Sequence, residues 1–241
     1  MGSPVVSAVV VQQTWNMTAN LAPEARPTRI FLVRHGEVFN PDKVLYGRAE
    51  GYRLSERGEA QADLAAGFLA EPRRDVVAVV ASPLQRAQET AAPIAEAYGL
   101  PVLTDERLTE AGSEFEGTTI GANPTQLLHP KHWKYLYNPT KPSWGEPFAD
   151  QATRMRAVLD DLRQKYAGHD VVVVSHQSPI WAVRRDLEGK RIWGDPRKRQ
   201  CSVASVTTLT YPPGEAEPTI AYDEPAAELS KTMSAEGWSA K

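Results

Sequence analysis

Apolar runs and helical stripes alternate along most of this chain. Ile30, Phe31, Leu32 and Val33 are apolar on both faces, which predicts a buried parallel strand. After a polar loop from Pro41 to Arg53, Ser55 reads as an N-cap. Ala60, Leu64, Ala65, Phe68 and Leu69 then recur at helical spacing. Asp75 to Ala81 predicts a second strand, which runs into Ser82-Pro83, an N-cap with proline at the first helical position. The helix from Leu84 is expected to continue to Tyr98, stop at Gly99, and kink or break at Pro93. Pro101 to Thr104 predicts a short third strand. A helix follows over Ala149 to Tyr166, with Met155, Val158, Leu159 and Leu162 on one face. Val171 to Ser175 predicts a strand, Pro179 to Leu187 a helix, and Ser202 to Tyr211 a last strand. Strands alternating with helices imply an α/β fold, a three-layer α/β/α sandwich with a mainly parallel sheet and helices on both faces.

Three stretches break the pattern and set the domain limits. Residues 1–27 lack periodicity, carry Pro4, Pro23 and Pro27, and read as a disordered arm. Residues 28–211 form the domain, with an insertion over 111–147 rich in glycine, proline and aromatic residues (His132, Trp133, Tyr135, Tyr137, Trp144). Such an insertion is either a cover for a ligand or a satellite hydrophobic cluster. Residues 212–241 carry six carboxylates against Lys231 and Lys241. They read as a disordered acidic tail whose removal leaves activity within a few-fold.

Composition narrows the partners. The net charge of −3 points away from nucleic acid. The basic run Arg184, Arg185, Lys190, Arg191, Arg197, Lys198 and Arg199 reads as a solvated face. A single cysteine, Cys201, excludes an internal disulfide and fits a reducing cytoplasm. No stretch approaches the roughly 18 apolar residues of a membrane span. Val5 to Val11 lacks the basic residues that open a signal peptide.

The chemistry gathers where the strands end. The first strand stops at Arg34-His35-Gly36-Glu37, and the strand from Val171 stops at His176. In open α/β sheets ligands bind at the carboxyl ends of strands. Arg86 lies in the first turn of the helix after Ser82-Pro83, and a helix N-terminus suits an anion. Alone, Arg86 reads as a solvated helix position and Glu110 as an exposed loop carboxylate. Together these residues supply two guanidiniums, two imidazoles and one carboxylate. Arginine forks match phosphate, histidine is a nucleophile or base near neutral pH, and glutamate can donate a proton.

Several motifs recur in a fixed order. RHGE is followed by Asn40 three residues on. Leu54-Ser55 leads to Gly58 and then to Gln61-Ala62. Ser82-Pro83-Leu84-Gln85-Arg86-Ala87-Gln88-Glu89-Thr90 is next. Leu108-Thr109-Glu110 precedes Glu116-Gly117, and Gly145-Glu146 and Val173-Val174-Ser175-His176 close the set. Over residues 29–210 the chain thus resembles the histidine phosphatase superfamily, in its phosphoglycerate-mutase-like branch 1. The resemblance implies that His35 is the nucleophile and forms a phosphohistidine. It implies that Arg34, Arg86 and His176 clamp the phosphoryl oxygens, with Asn40 and the Gln177 amide at the edge, and that Glu110 is the general acid and then base. It further implies a metal-independent phosphomonoesterase with no cofactor, acting on a small phosphorylated substrate. Two positions depart from the family pattern. Gln177-Ser178-Pro179 stands where glycine commonly follows the second histidine, and Ala111 to Phe115 lacks the usual aromatic-glycine pair. A mutase using the same phosphohistidine is the alternative enzyme. A non-catalytic phosphate-binding module is the third reading, which the presence of His35 and Glu110 disfavours. No Walker A motif accompanies these residues.

Overall fold

The computed structural model describes residues 26–71, 74–120, 145–192 and 199–229, together with 123, 125, 129, 130 and 133. Among the described residues a six-stranded sheet has the order β3-β2-β4-β1-β5-β6. Its strands are β1 (Thr28–Arg34), β2 (Val76–Ala81), β3 (Val102–Thr104), β4 (Asp170–Ser175), β5 (Val206–Tyr211) and β6 (Thr219–Asp223). β4 runs parallel to both β1 and β2, and β3 runs parallel to β2. β5 pairs antiparallel with β1, and β6 antiparallel with β5. The helices are α1 (Glu56–Leu69), α2 (Gln85–Tyr98), α3 (Phe148–Lys165) and α4 (Gln177–Leu187).

The central strands are apolar throughout because they meet helices on both sides. Phe31, Val33, Val172 and Val174 pack with Ala65 and Leu69 of α1 and Ala91 and Ile94 of α2. Ile30, Leu32, Val171 and Val173 point the other way, onto Met155 and Leu159 of α3 and Ile180 and Val183 of α4. This alternation produces the expected three-layer α/β/α sandwich. At the end of the sheet away from the histidines, the Arg29 guanidinium grips both carboxylate oxygens of Asp170. Asp170 also accepts the Asp75 amide at 3.0 Å, so one buried carboxylate registers the starts of three neighbouring strands.

Several local expectations change. Ser55 does cap α1, accepting the Gly58 amide at 3.0 Å. Ser82 does not cap α2, because Leu84 takes the N-cap position and the Ser82 hydroxyl turns to His176. Helix α2 runs unbroken through Pro93, carried by the buried Ala91, Ile94 and Ala95 on either side of it. α4 begins two residues earlier than expected, at Gln177, and β5 begins at Val206.

The acidic tail needs the largest correction. Within it, Thr219–Asp223 forms the edge strand β6, and Ala226 is buried. Ile220 packs on the α3/α4 side of the core, and the Tyr222 hydroxyl accepts the Ser202 amide at 3.0 Å. A half-exposed edge strand alternates small apolar and polar residues, so its signal is easily lost in an acidic stretch. Residues 1–25, 230–241 and the aromatic residues 132, 135, 137 and 144 lie outside the described residues. Trp133 is 61% exposed. Arg184 of the basic run is buried, bound to Glu188 and Gln200 rather than to solvent.

Candidate active site

β1, β2 and β4 all end at the same edge of the sheet, and their next residues supply the site. The His35 amide donates to the Ser175 carbonyl at 3.1 Å, which binds the ends of β1 and β4 together. The His35 and His176 rings lie 5.1 Å apart, centroid to centroid. The chain can turn so tightly here because Gly36 and Gly58 allow the loop after β1 to cross the first turn of α1. A Cβ on Gly36 would meet the Gly58 carbonyl oxygen at 2.4 Å, and a Cβ on Gly58 would meet the Glu37 oxygen at 2.0 Å. The Gly36 amide then binds Thr90 Oγ1 at 3.1 Å, and that hydroxyl donates to the Arg86 carbonyl at 2.7 Å. The loop that follows His35 is thereby fixed to the helix that carries Arg86.

His35 Nδ1 lies 2.7 Å from the Gly36 carbonyl. A carbonyl can only accept, so Nδ1 carries the proton and Nε2 keeps its lone pair. Burial, then the charges of Arg86 and Arg34, hold the imidazole well below its ordinary 6.5, against the pull of that carbonyl. His176 is also held well below 6.5 by burial, with His35 and Arg86 next in effect. Its Nε2 lies 2.8 Å from Ser82 Oγ. With the hydroxyl donating to Nε2, the Nδ1–H of His176 is a buried donor with no protein acceptor.

The two arginines have the same character. Arg34 Nη1 donates to the Cys201 carbonyl at 2.7 Å, and Arg86 Nη2 to the Gly47 carbonyl at 2.6 Å, with the Arg86 guanidinium 4.8 Å above the Tyr46 ring. Each keeps a buried Nε without an acceptor. Buried donors are nearly always paired, so three orphaned ones on Arg34, Arg86 and His176 mark a place for an acceptor-rich anion. Glu110 follows the 3-10 turn Glu106–Leu108 and takes the Ala111 amide on Oε1 at 2.8 Å. Burial raises its carboxyl above the ordinary 4.5, opposed by that amide and by Arg86, Arg34 and Arg199.

The two residues expected at the edge of the site bind protein groups. Asn40 uses both ends of its amide on Val44, donating to the carbonyl at 2.8 Å and accepting the amide at 3.1 Å. These two bonds close the loop after β1. The Gln177 side chain reaches the Cys201 carbonyl at 3.4 Å, while its backbone opens α4 beside His176.

Residues that the sequence did not assign to the site also belong to it. Arg48 donates from Nε to the Glu110 carbonyl at 2.6 Å and from Nη2 to Glu146 Oε2 at 2.9 Å. Arg154 holds the same Glu146 carboxylate with Nε and Nη2 at 2.7 and 3.0 Å. Tyr46 stacks on Tyr52 at 5.0 Å and bears the Arg86 charge on its face. Arg199, read from sequence as solvated, is largely buried beside Phe148, and its charge acts on Glu110 and Arg34. None of these carried a motif; only their neighbours in space identify them. Among the described residues no group of three or more His, Cys, Asp or Glu could hold a metal ion.

A doubly covered, mostly parallel sheet whose carboxyl edge gathers two histidines, two arginines and a buried glutamate defines an α/β protein with a cationic, donor-rich site at its strand ends. Comparison narrows that class. The family model described as histidine phosphatase superfamily (branch 1) matches residues 30–223, and the chain belongs to that family. It is 52% identical over 200 residues to Rv0525 of Mycobacterium tuberculosis, covering 83% of this chain and 98% of that one. Phosphoserine phosphatase 1 of Hydrogenobacter thermophilus is 32% identical over 167 residues, covering 67% of this chain and 76% of the relative. A probable phosphoglycerate mutase, GpmB of Yersinia enterocolitica, is 33% identical over 187 residues, covering 74% and 84%. Among solved structures, the mycobacterial glucosyl-3-phosphoglycerate phosphatase Rv2419c superposes with a TM-score of 0.65 at 27% identity, covering 83% of this chain and 98% of that one. Among the described residues no helix is long and apolar enough to cross a membrane.

Proposed function

We propose that this protein is a metal-independent phosphomonoesterase that works through a phosphohistidine on His35. The observation that carries this reading is the state of His35. It is buried, neutral, and locked with Nε2 free, beside two guanidiniums with unsatisfied donors. A phosphate ester dianion entering the clamp meets Arg34, Arg86 and the His176 Nδ1–H. Cationic and hydrogen-bonding groups fixed in advance supply the charge neutralisation on which phosphoryl transfer depends. The His35 Nε2 lone pair attacks phosphorus as the ester P–O bond breaks, and the leaving oxygen takes the Glu110 proton. Burial raises the affinity of Glu110 for that proton. In the second half, the Glu110 carboxylate takes a proton from water. The water oxygen bonds to phosphorus, the P–N bond breaks, and orthophosphate leaves.

The names of the relatives support hydrolysis of small phosphate esters, one a phosphoserine phosphatase and one a glucosyl-3-phosphoglycerate phosphatase. Similarity to GpmB keeps a mutase as the second reading, in which the leaving group stays to be rephosphorylated. A panel of phosphorylated metabolites with rapid-quench detection of acid-labile phosphoenzyme separates the two. Orthophosphate release from wild type, none from His35→Ala, and no effect of a chelator support the phosphatase. Return of the label to an isomeric ester overturns it in favour of a mutase. Activity lost to chelator and restored by a divalent ion overturns the metal-free mechanism.

A further inference from the structure

We propose that Ser82 is a positioning residue that locks His176 as a neutral, Nδ1-protonated donor to the phosphoryl group. This rests on the phosphatase reading and deepens it at the same site. The lock begins with how Ser82 is held. It follows β2 directly and is buried. Its amide donates to the Val174 carbonyl of β4 at 3.0 Å, and its carbonyl accepts Gln88 Nε2 of α2 at 2.7 Å. With both backbone groups fixed, the hydroxyl lies between two partners. The Leu84 amide donates to Oγ at 3.4 Å, and His176 Nε2 lies 2.8 Å from it.

An amide can only donate, so Oγ accepts from Leu84. Among the described residues His176 Nε2 is then the acceptor of the hydroxyl proton. Donation to Nε2 leaves the ring proton on Nδ1, the buried atom without a protein partner. The reverse tautomer would make Oγ accept from both Leu84 and Nε2–H. It would strand the hydroxyl proton and give Nδ1 a lone pair that repels a phosphoryl oxygen. An imidazolium strands the same hydroxyl proton. Each stranded buried group shifts an equilibrium by roughly 10- to 100-fold. In the assigned state one donor is unpaired, and a phosphoryl oxygen satisfies it.

The surroundings agree with this geometry. Burial, then His35 after β1, Arg86 on α2, Arg34 on β1 and Arg154 on α3, hold the His176 ring well below its ordinary 6.5. Each of these four side chains is a cation or able to become one, so none gives an imidazolium its counter-charge. The buried carboxyl of Glu110 acts on Arg86 within the same set. Ser82 does what those charges do not, because it also decides which nitrogen carries the proton. A neutral donor gives the anion a hydrogen bond and adds no charge. Without the hydroxyl, an arriving dianion can draw a second proton onto His176. The clamp would then tighten on orthophosphate as pH falls, and product would leave more slowly. Ser82 therefore serves release of the product as well as alignment of the substrate.

The test reads the ring directly. Heteronuclear NMR of isotope-labelled histidines, with His176 assigned through His176→Gln, is run from pH 7.5 to 5.5 with and without inorganic phosphate. Wild type should show the neutral Nδ1–H tautomer of His176 in both conditions. Ser82→Ala should show imidazolium when phosphate is bound. Calorimetry should find its affinity for inorganic phosphate rising, relative to wild type, by roughly 10-fold or more across the same pH range. Ser82→Thr keeps a hydroxyl and should restore the wild-type spectrum. An Nε2–H tautomer or an imidazolium in wild type at pH 7.5 overturns the lock without recourse to any variant. So does a Ser82→Ala protein whose spectrum and phosphate affinity match wild type at every pH. Failure of the phosphatase reading looks different, since neither measurement needs turnover. It would appear as missing His35-dependent release of p-nitrophenol from p-nitrophenyl phosphate by wild type.

Discussion

His35 and Glu110 are moved in opposite senses by the same burial. The imidazole falls well below 6.5 and the carboxyl rises above 4.5. In the proposed mechanism, attack needs neutral His35 and protonation of the leaving oxygen needs protonated Glu110. Activity should fall on the acid side below pH 6.5, as His35 gains its proton, and on the alkaline side as Glu110 loses its own. The alkaline limb should be pronounced with alkyl phosphates and shallow with p-nitrophenyl phosphate, whose phenolate leaves without help. Glu110→Gln should give a burst of nitrophenolate followed by slow turnover, because the second step still needs a base. Equal losses on both esters with no burst would make Glu110 a positioning residue. The same groups affect stability. Both histidines bind protons less readily folded than unfolded, so their contribution is present above pH 6.5 and is lost as pH falls below it. Thermal midpoints measured from pH 7.5 to 5 should decline, and a flat profile would contradict the buried neutral pair. At this scale the sequence was informative where a residue type sits at a strand end, as with Arg34, His35 and His176. It was uninformative for Arg199, because side-chain burial depends on which segment packs over it.

The loop after β1 is where local sequence and long-range contact meet. Three consecutive residues serve three parts of the site: Tyr46 lies under Arg86, the Gly47 carbonyl accepts Arg86, and Arg48 holds the Glu110 carbonyl. Gly47 has φ of 44°, and a Cβ there would meet Glu116 Oε1 at 2.1 Å. That same oxygen accepts the Arg48 amide at 2.9 Å and the Ser113 amide at 3.3 Å. The acid-bearing segment is also braced by Glu146, whose amide binds the Gly112 carbonyl. Arg48→Ala should therefore displace Glu110 without touching substrate. A misplacement of this kind costs up to about 100-fold. The loss should appear in kcat, grow with the basicity of the leaving group, and shift the alkaline limb. Equal loss on every ester would reduce Arg48 to a purely structural residue. The sequence motif places Glu110 and Glu116 on one segment, but it shows neither Arg48 nor Tyr46 as their partners. Those contacts exist only once the segments after β1 and β3 are brought together by the sheet.

Across the whole molecule, the periodic patterning made the α/β/α layering legible because three strands, β1, β2 and β4, are apolar on both faces. The antiparallel edge was not legible, since β6 has only five residues in an acidic stretch. That edge overturns the expectation that everything beyond residue 211 is dispensable. Deletion after Tyr211 removes β6, the buried Ala226 and the Tyr222 anchor on Ser202. Loss of that apolar contact should cost about 2 kcal/mol or more, a fall of roughly 4–8 °C in Tm for a domain of this size. Deletion from residue 230 spares all of these contacts and should leave both Tm and kcat near wild type. Differential scanning calorimetry of the two truncations, with equal losses in both, would contradict the role given to β6.

Cys201 offers one more consequence. It is the only thiol in the chain, 1% exposed, and burial pushes its pKa to about 11. A thiol reagent can reach it only when residues 199–205 lift away from α4 and release Arg34. The rate of alkylation is thus an intrinsic clock for opening of the phosphate clamp, readable by mass spectrometry without an added probe. Inorganic phosphate, by holding Arg34 in place, should slow that clock in proportion to its occupancy of the site. An alkylation rate indifferent to phosphate would mean that the wall behind Arg34 moves independently of the anion it helps to bind.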